Sequence, residues 1–497
     1  MKDISPEPAS VLPEFRPLFM PQTVAVIGAS ASGVTHGNRF IRLLKEAGFA
    51  GRIFPIHPGA GQIEGLPAYP SLAQAPEAVD YAYLMVPASR VVQALSGTAG
   101  RLRFAQVMAS AEPGAQHSWE NELQALARRE GFRLIGPNCM GTHSPRGRYT
   151  FMEKAEMAPG AVGIACQSGG LGMDILRRGQ NLGLRFSGLV TIGNAIDVDA
   201  ADLLEYYLAD PETAVAGLYI EDVKDGARFQ SLLRRNMGRK PVVLLVGGLT
   251  GPGRAAAASH TGAMGGSAEA WRALSRQTGA ILTESLDEFL DMLQMCLWLV
   301  PRPGAVASGV TLFGNGGGTS VLATDALDRS GFALARPDPA ARQELDAITL
   351  PPGASLENPI DLPASVLKEE DGRVTARILG VNARRIRPYA TIVHFNLPVI
   401  MAYRHIPDFL PNLLDAVFGD PGGDGDGGHK LLVLRSDRSE EADTWRRNFR
   451  AEAVRRGVPS FDEVLQAVQA LAAYRDYEGF LERRRGGPET AARGNRR

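Results

Sequence analysis

Short apolar runs and amphipathic segments alternate along most of the chain. Between residues 22 and 145, the run TVAVI leads into a glycine turn, and the segment NRFIRLLKEAG that follows has the spacing of an amphipathic helix. Two further apolar runs, RIFPI and YAYLMV, come later in the same region. Because strands that alternate with helices pair in parallel, the pattern predicts a doubly wound parallel sheet here.

The same alternation begins again near residues 160 and 310. In each case an apolar strand, AVGIAC or VTLFG, runs into a glycine-rich turn and a helix, which is typical of flavodoxin-like units. The predicted fold class is therefore α/β. The predicted boundaries are an N-terminal tail at residues 1–20, three α/β units at residues 21–148, 155–302 and 305–478, and a basic tail at residues 481–497.

Composition excludes several functional classes. The 497 residues are enough for about three domains. Lys and Arg total 53 against 54 Asp and Glu, so no global basic surface indicates nucleic acid or anionic lipid as a partner. Cys139, Cys166 and Cys296 lie far apart, which argues against disulfides or a structural metal site. The chain has no bilayer-length apolar stretch and no signal-peptide pattern at its start, so we expect a cytoplasmic protein.

Three strand-to-helix turns are rich in small residues. They are GASASG from Gly28 to Gly33, QSGGLG from Gln167, and GNGGGTS from Gly314. A helix N-terminus presents unpaired backbone N–H groups, and glycine or serine there lets an anion approach closely, so each turn is a candidate phosphate site. The alternative is that a tight turn simply needs glycine.

The first turn does not fit a nicotinamide cofactor. The dinucleotide fingerprint requires G-x-G-x-x-G, whereas four residues separate Gly28 from Gly33. It also requires an acid at the end of the second strand, and RIFPIHP ends without one. A nucleotide with a different ribose contact, such as coenzyme A, fits better.

His260 stands alone in AAAASHTGAMGGS, a segment of very small residues. Twelve of the twenty residues from Gly247 to Gly266 are Gly or Ala, which is typical of a long mobile loop. A neutral imidazole is a good nucleophile near pH 7 and accepts and releases a phosphoryl group readily. Its second nitrogen needs an orienting acceptor, for which Glu221, at the end of a strand, is a candidate. The alternatives are a structural loop histidine and an ordinary strand-end acid.

Six motifs follow one another along the chain: GPNCMG, CQSGGLG, GNAIDVDAADLLEYYLADPET, YIEDVKDGARF, SHTGAMGGS and SLENPIDL. Taken together and in this order, they resemble the NDP-forming acyl-CoA synthetases. The family includes the ADP-forming acetate–CoA ligases and, more distantly, succinyl-CoA synthetase. The resemblance covers roughly residues 20 to 475 and implies a Rossmann-like CoA-binding domain followed by two flavodoxin-like domains.

The resemblance also implies roles for particular residues. His260 corresponds to the histidine that is phosphorylated, and Glu221 to the glutamate that orients it. The phosphate then sits between two helix N-termini, at Ser168, Gly169 and Gly170 and at Gly316, Gly317 and Gly318. The implied contacts with coenzyme A are Gly28, Ser30, Ser32, Gly33, Pro87 and Asn138.

The implied reaction is reversible: acyl-CoA, phosphate and ADP give free acid, CoA and ATP, with Mg²⁺ accompanying the nucleotide. Two departures from the family pattern are visible. Gly59 stands where related chains carry a lysine that meets CoA, and no ATP-grasp domain follows the third unit. The resemblance therefore implies an α-type subunit with a separate ATP-grasp β subunit, in an α2β2 assembly. The alternative function is a catalytically idle regulatory module that binds CoA or acyl-CoA.

Overall fold

Three larger β-sheets, all mainly parallel, organise the part of the chain that the computed structural model describes. That part comprises residues 8–255, 267–302, 304, 309–350, 354–402, 409–419 and 427–485. The chain divides into two compact units, Met1–Gln180 with Leu184–Leu293, and Asn181–Gly183 with Gln294–Arg497. The first two sheets lie in unit 1 and the third in unit 2. Because helices alternate with mainly parallel strands in all three, the predicted α/β class is confirmed.

The first sheet of unit 1 has the strand order β2-β1-β5-β6-β7, all parallel. Its first strand is buried along its whole length, as the uninterrupted apolar run predicts. The strands are β1 (Thr23–Ile27), β2 (Arg52–Ile56), β5 (Val79–Leu84), β6 (Leu102–Val107) and β7 (Arg133–Ile135), with a small hairpin of β3 (Gln62–Ile63) and β4 (Leu66–Pro67). The helices are α2 (His36–Glu46), α3 (Ala88–Leu95) and α4 (Gln116–Glu130).

The second sheet of unit 1 has the order β13-β12-β11-β9-β10-β8, in which β8 is antiparallel to β10. The strands are β8 (Thr142–His143), β9 (Val162–Cys166), β10 (Phe186–Thr191), β11 (Val215–Ile220), β12 (Val242–Val246) and β13 (Ile281–Thr283). The helices are α5 (Gly169–Asn181), α6 (Ala200–Ala209), α7 (Gly226–Asn236), α8 (Ala268–Thr278) and α9 (Leu286–Trp298).

The N-terminal segment differs from its prediction as a tail. Residues Pro8–Phe19 form α1, and the side chains of Phe15, Leu18 and Phe19 are buried in unit 1. Phe19 stacks on Tyr206 with ring centroids 4.2 Å apart. Its apolar residues pack on the first and second sheets, Phe15 against Phe104 in β6 and Phe19 against Gly188 in β10.

The third sheet, in unit 2, has the order β15-β14-β16-β17-β18, all parallel. The strands are β14 (Val310–Gly314), β15 (Ile360–Asp361), β16 (Ala390–Asn396), β17 (His429–Arg435) and β18 (Ser460–Phe461). The helices are α10 (Gly317–Arg329), α11 (Pro339–Asp346), α12 (Ala364–Leu367), α13 (Arg373–Val381), α14 (Leu397–Met401), α15 (Phe409–Phe418), α16 (Glu440–Arg455) and α17 (Val464–Arg485).

Helix α17 extends further than the predicted start of the basic tail, because residues 481–485 are helical. Glu478 in this helix is buried and accepts hydrogen bonds from the Tyr389 hydroxyl (2.7 Å) and, at 2.9 Å, from His429 Nε2. These contacts fix the last turns of α17 on the third sheet. None of the helices in the described part of the chain has the length and apolar character that crossing a bilayer requires.

All three sheets share one pattern when their parallel strands are numbered along the chain. The second strand lies at one side of the first, and the third, fourth and fifth follow on the other side, as in flavodoxin. In such sheets ligands bind beyond the carboxyl ends of the strands, where the order reverses. The topology thus marks the ends of β1 and β5, of β9 and β11, and of β14 and β16.

Candidate active site

The turn after β1 is held in shape by two polar side chains. Gly28 has a φ of +104°, and a Cβ there would lie 2.2 Å from the carbonyl oxygen of Met85 at the end of β5. Thr35 caps α2 and donates from its hydroxyl to the Gly28 carbonyl at 2.7 Å. Asn38 accepts from the Ser30 backbone N–H and donates to the Ser30 carbonyl, both at 2.9 Å. Neither Thr35 nor Asn38 was predicted from the sequence, although a threonine before an apolar-periodic segment is a capping signal.

The residues expected to contact CoA lie around this turn. The Ser30 and Ser32 hydroxyls are 2.6 Å apart, and Gly33 follows them. Pro87 is exposed and precedes α3, at the end of the strand next to β1. The first glycine turn and Pro87 therefore lie at one topological switch point.

Gly59, the departure from the family pattern, lies in a loop shaped by His57. The imidazole Nδ1 of His57 accepts the backbone N–H groups of Gly59 (3.1 Å) and Ala60 (3.0 Å). A Cβ at Gly59 would meet no atom within 4 Å. The loop thus has room for a longer side chain at residue 59, and its backbone does not require glycine.

Asn138 lies in the loop that joins the edge of the first sheet to the second sheet. Its backbone has a φ of +60°, and its side-chain amide donates to Asn194 Oδ1 at 3.2 Å. Asn194 in turn donates to Glu120 at 2.7 Å. Two residues after Asn138, Met140 packs so closely on Gly169 that a Cβ on the glycine would lie 2.4 Å from Met140 Cγ. The loop with the predicted CoA contact therefore contacts the second glycine turn directly.

The second glycine turn opens helix α5. The Ser168 hydroxyl accepts the Leu171 backbone N–H at 3.2 Å, which caps the helix. Gly170 is exposed, and a Cβ there would meet nothing within 4 Å. Since the first N–H groups of a helix have no intrahelical partner, the turn presents donors at an open surface, which suits an anion.

Glu221 lies at the end of β11, beside this turn, and is 7% exposed. Its carboxylate Oε1 accepts a hydrogen bond from the Tyr219 hydroxyl at 3.0 Å. The backbone N–H of Glu221 donates to Gln167 Oε1. The same oxygen also accepts a hydrogen bond from the backbone N–H of Asp222 at 2.9 Å. Because Gln167 directly precedes Ser168, these bonds tie the backbone of Glu221 to the second glycine turn. Neither Tyr219 nor Gln167 was singled out from the sequence.

The start of the Gly- and Ala-rich segment passes close to Glu221. A Cβ on Gly247 would lie 3.4 Å from Glu221 Cγ and 2.9 Å from the Tyr219 hydroxyl. His260 itself lies outside the described residues. Nearby, burial raises the pKa of Cys166 to about 12, with the Glu221 charge as a smaller cause. The thiol therefore stays protonated at neutral pH and does not compete as a nucleophile.

The third glycine turn opens α10 in unit 2. Gly316 has a φ of +158°, and its N–H donates to Asp361 Oδ1 at 2.8 Å, which links the ends of β14 and β15. Asp361 belongs to the SLENPIDL motif, whose role the structure thereby makes visible. His394 and Arg435, at the ends of the next two strands, also reach this turn, and neither was predicted from the sequence. In the described part of the chain, no group of three or more potential metal-ligand side chains comes together.

Two regions of the chain match known domain families. Residues 22–145 match the family described as CoA binding domain. Residues 159–296 match the family described as succinyl-CoA ligase like flavodoxin domain. These matches correspond to the two sheets of unit 1.

Known proteins resemble the chain over a larger part of its length. It is 35% identical over 369 residues to subunit alpha of acetate–CoA ligase [ADP-forming] II from Pyrococcus furiosus, which covers 73% of this chain and 78% of that protein. It is 34% identical to acetate–CoA ligase [ADP-forming] I from Archaeoglobus fulgidus, but that match spans only 50% of the relative's length.

Among solved structures, dinucleotide forming acetyl-coenzyme A synthetase 1 from Ca. Korarchaeum cryptofilum, in complex with phosphate and ADP, matches with a TM-score of 0.78 and 26% identity. The match covers 95% of this chain and 99% of that chain. Identity and coverage together show that the chain belongs to the NDP-forming acyl-CoA synthetase family, on the side of its ADP-forming acetate–CoA ligases.

Proposed function

We propose that this protein is the α-type subunit of an ADP-forming acyl-CoA synthetase. It interconverts acyl-CoA, phosphate and ADP with a carboxylic acid, CoA and ATP. The observation that best supports this proposal is the grouping, within unit 1, of Glu221, the Ser168–Gly170 turn and the loop of Asn138 and Met140. A protein that only bound CoA would not need a buried carboxylate tied to an anion-binding turn.

The proposed reaction has three steps. A phosphate oxygen attacks the thioester carbonyl, the bond to sulfur breaks, and CoA leaves as the acyl phosphate forms. His260 then attacks the phosphorus, and the carboxylate of the acid leaves. Finally a terminal oxygen of ADP takes the phosphoryl group from the histidine. Transfers of this kind depend mainly on positioning and electrostatic stabilisation.

The residues of the chain divide this work in the proposal. Glu221 accepts a hydrogen bond from the imidazole of His260 and so orients its nucleophilic nitrogen. In unit 1, Ser168, Gly169 and Gly170 donate backbone N–H groups to phosphoryl oxygens, and in unit 2 Gly316, Gly317 and Gly318 provide donors of the same kind. The remaining predicted contacts bind coenzyme A: Gly28, Ser30, Ser32, Gly33, Pro87 and Asn138.

The proposal includes a partner. The final step needs a nucleotide site with Mg²⁺, which we assign to an ATP-grasp β-type subunit in an α2β2 assembly. Relatives named as alpha subunits, and a relative about twice as long as the matched region, support this division. We expect the assembly to work in the cytoplasm, where CoA and nucleotides are available.

Labelling tests the phosphohistidine without the partner. The chain is incubated with an acyl-CoA and ³²P-phosphate, and we expect an acid-labile, base-stable label that His260→Ala abolishes. His117→Ala is the control, because the His117 side chain is 93% exposed on the surface. A label that survives in His260→Ala removes this residue from the mechanism. Binding of CoA with no label in the wild type would instead favour the regulatory module.

A further inference from the structure

Four polar side chains meet at the carboxyl edge of the third sheet. Asn315 follows β14, Asp361 ends β15, His394 lies in the last half of β16, and Arg435 ends β17. The crevice between β14 and β16 is the switch point of this sheet. At this edge of the sheet, the resemblance to the family involves only the backbone of Gly316–Gly318 and the motif that contains Asp361. It assigns no role to the side chains of Asn315, His394 and Arg435.

Asn315 has a buried donor with no partner. The residue is 6% exposed, and its Oδ1 accepts the backbone N–H of Asn396 at 2.8 Å, which places the amide in the crevice between β14 and β16. Its Nδ2 has no hydrogen-bond partner among the described residues. A buried amide group is normally paired, so a bound acceptor is the natural complement.

Arg435 brings a positive charge to the start of α10. Its guanidinium donates to the hydroxyl of Thr319, the third residue of the helix. The side chain is 33% exposed, and its Nε lies 3.7 Å from Oε2 of Glu463, which is itself exposed. Asp361, the other acid at the turn, is engaged by the Gly316 N–H. The guanidinium fork therefore retains donors for a further anion.

His394 stabilises this arrangement as a neutral group. It is fully buried, and its Nε2 lies 3.1 Å from the hydroxyl of Ser320 in the first turns of α10. Burial lowers its pKa to about 4, so the imidazole is uncharged at neutral pH. Its ring also occupies the space beside Gly314, where a Cβ would lie 2.4 Å away. Of the four side chains, Arg435 thus carries the positive charge.

We infer that Arg435 and Asn315 form, with the backbone of Gly317 and Gly318, a side-chain clamp for a tetrahedral phosphoryl oxyanion. This inference rests on the proposed function and deepens it, because it adds a charge and a buried amide donor to a site that the motifs define only by backbone. The clamp takes inorganic phosphate as it enters and the phosphoryl group when it is carried by the chain.

Titration of the full-length chain with inorganic phosphate tests the clamp. We expect Arg435→Gln to weaken phosphate binding by about tenfold or more, the change expected when a charge-assisted hydrogen bond is lost. Arg456→Gln is the matched control: its side chain is also 33% exposed and pairs with acids, but it lies near the opposite edge of the sheet. Arg456→Gln should bind phosphate like the wild type.

A second variant keeps the inference testable if Arg435→Gln does not fold. Asn315→Asp keeps the oxygen that accepts the Asn396 N–H but replaces the free donor by an acceptor, so it should weaken phosphate binding while the melting temperature shows a folded chain. Wild-type affinity in both variants, or no phosphate binding by the wild type, overturns the inference. Labelling of His260 from acyl-CoA and ³²P-phosphate tests the proposed function independently of phosphate binding by the clamp. Full labelling in Arg435→Gln and Asn315→Asp would show that the phosphoryl group carried by the chain does not use the clamp.

Discussion

At the scale of single residues, the carboxylate of Glu221 is held from two directions. The Tyr219 hydroxyl donates to one of its oxygens, and Gln167 fixes its backbone to the neighbouring turn. Burial, helped by the Glu221 charge, raises the pKa of Tyr219, so the hydroxyl stays protonated and keeps donating at neutral pH. In the proposed mechanism this leaves the orientation of the carboxylate, and so of the His260 imidazole, dependent on Tyr219.

We expect Tyr219→Phe to slow phosphorylation of His260 several-fold, to about the extent that one hydrogen bond allows. The measurement is the initial rate of labelling from acyl-CoA and ³²P-phosphate between pH 6 and 8. Tyr69→Phe, whose ring packs on Phe54 in the first sheet's periphery, is the control and should label at the wild-type rate. Equal rates in Tyr219→Phe and the wild type would make Tyr219 a packing residue only.

At the scale of elements, the two strand–turn–helix units of unit 1 that begin with β1 and β9 are constrained to different degrees. The turn after β1 is tied by Thr35 and Asn38 and touches the end of β5. The turn before α5 is open at Gly170, while Met140 packs on Gly169 and Gln167 binds the backbone at the end of β11. Small residues between a strand and a helix therefore form a rigid turn in one place and an open surface in another.

Gly28→Ala tests the rigid turn. Its Cβ would lie 2.2 Å from the Met85 carbonyl oxygen on a backbone with positive φ, so the turn has to move away from β5. We expect CoA binding, measured by calorimetry, to fall by about tenfold or more and the melting temperature to drop. Gly59→Ala, where a Cβ meets nothing within 4 Å, should change neither. A folded Gly28→Ala protein with wild-type CoA affinity would show that this turn does not contact CoA.

At the scale of the whole molecule, we expect a buried histidine to make the stability of unit 1 depend on pH. His143 in β8 is fully buried, and neither ring nitrogen has a hydrogen-bond partner among the described residues. Burial lowers its pKa to about 3, well below the ordinary value for histidine. Below about pH 6.5 the unfolded chain therefore binds a proton at this residue that the folded chain excludes, and stability falls as the pH falls toward 3.

We expect the melting temperature of the protein to decrease between pH 7.5 and pH 5, and to decrease less in His143→Leu, which has no titrating group and a similar volume. Differential scanning calorimetry at the two pH values measures this. Since both proteins keep the carboxylates that also respond to acid, the difference between them isolates His143. An identical decrease would mean that another group dominates the acid sensitivity.

The apolar pattern and the motifs by themselves determined a large part of this protein. The runs TVAVI, AVGIAC and VTLFG predicted β1, β9 and β14 nearly residue for residue, because a strand buried on both faces needs an uninterrupted apolar run. The order of six motifs identified the family, since each marks a turn or strand end with its own chemistry. The roles of His260, Glu221 and the CoA contacts remain predictions.

Only the tertiary structure decided which residues become neighbours. Asn315 and Arg435 are 120 positions apart in the sequence, yet both lie at one crevice because β16 separates β14 from β17 by a single strand. Met140 contacts Gly169 through packing that no local periodicity encodes. The burial of helix α1 was not predicted, because its apolar residues are informative only once the surface that they cover is known. Turns and strands depend on residues that are close together in the sequence, so the sequence pattern predicts them. The contacts that build a site form between different strands, and the sequence pattern does not determine the order of those strands in the sheet.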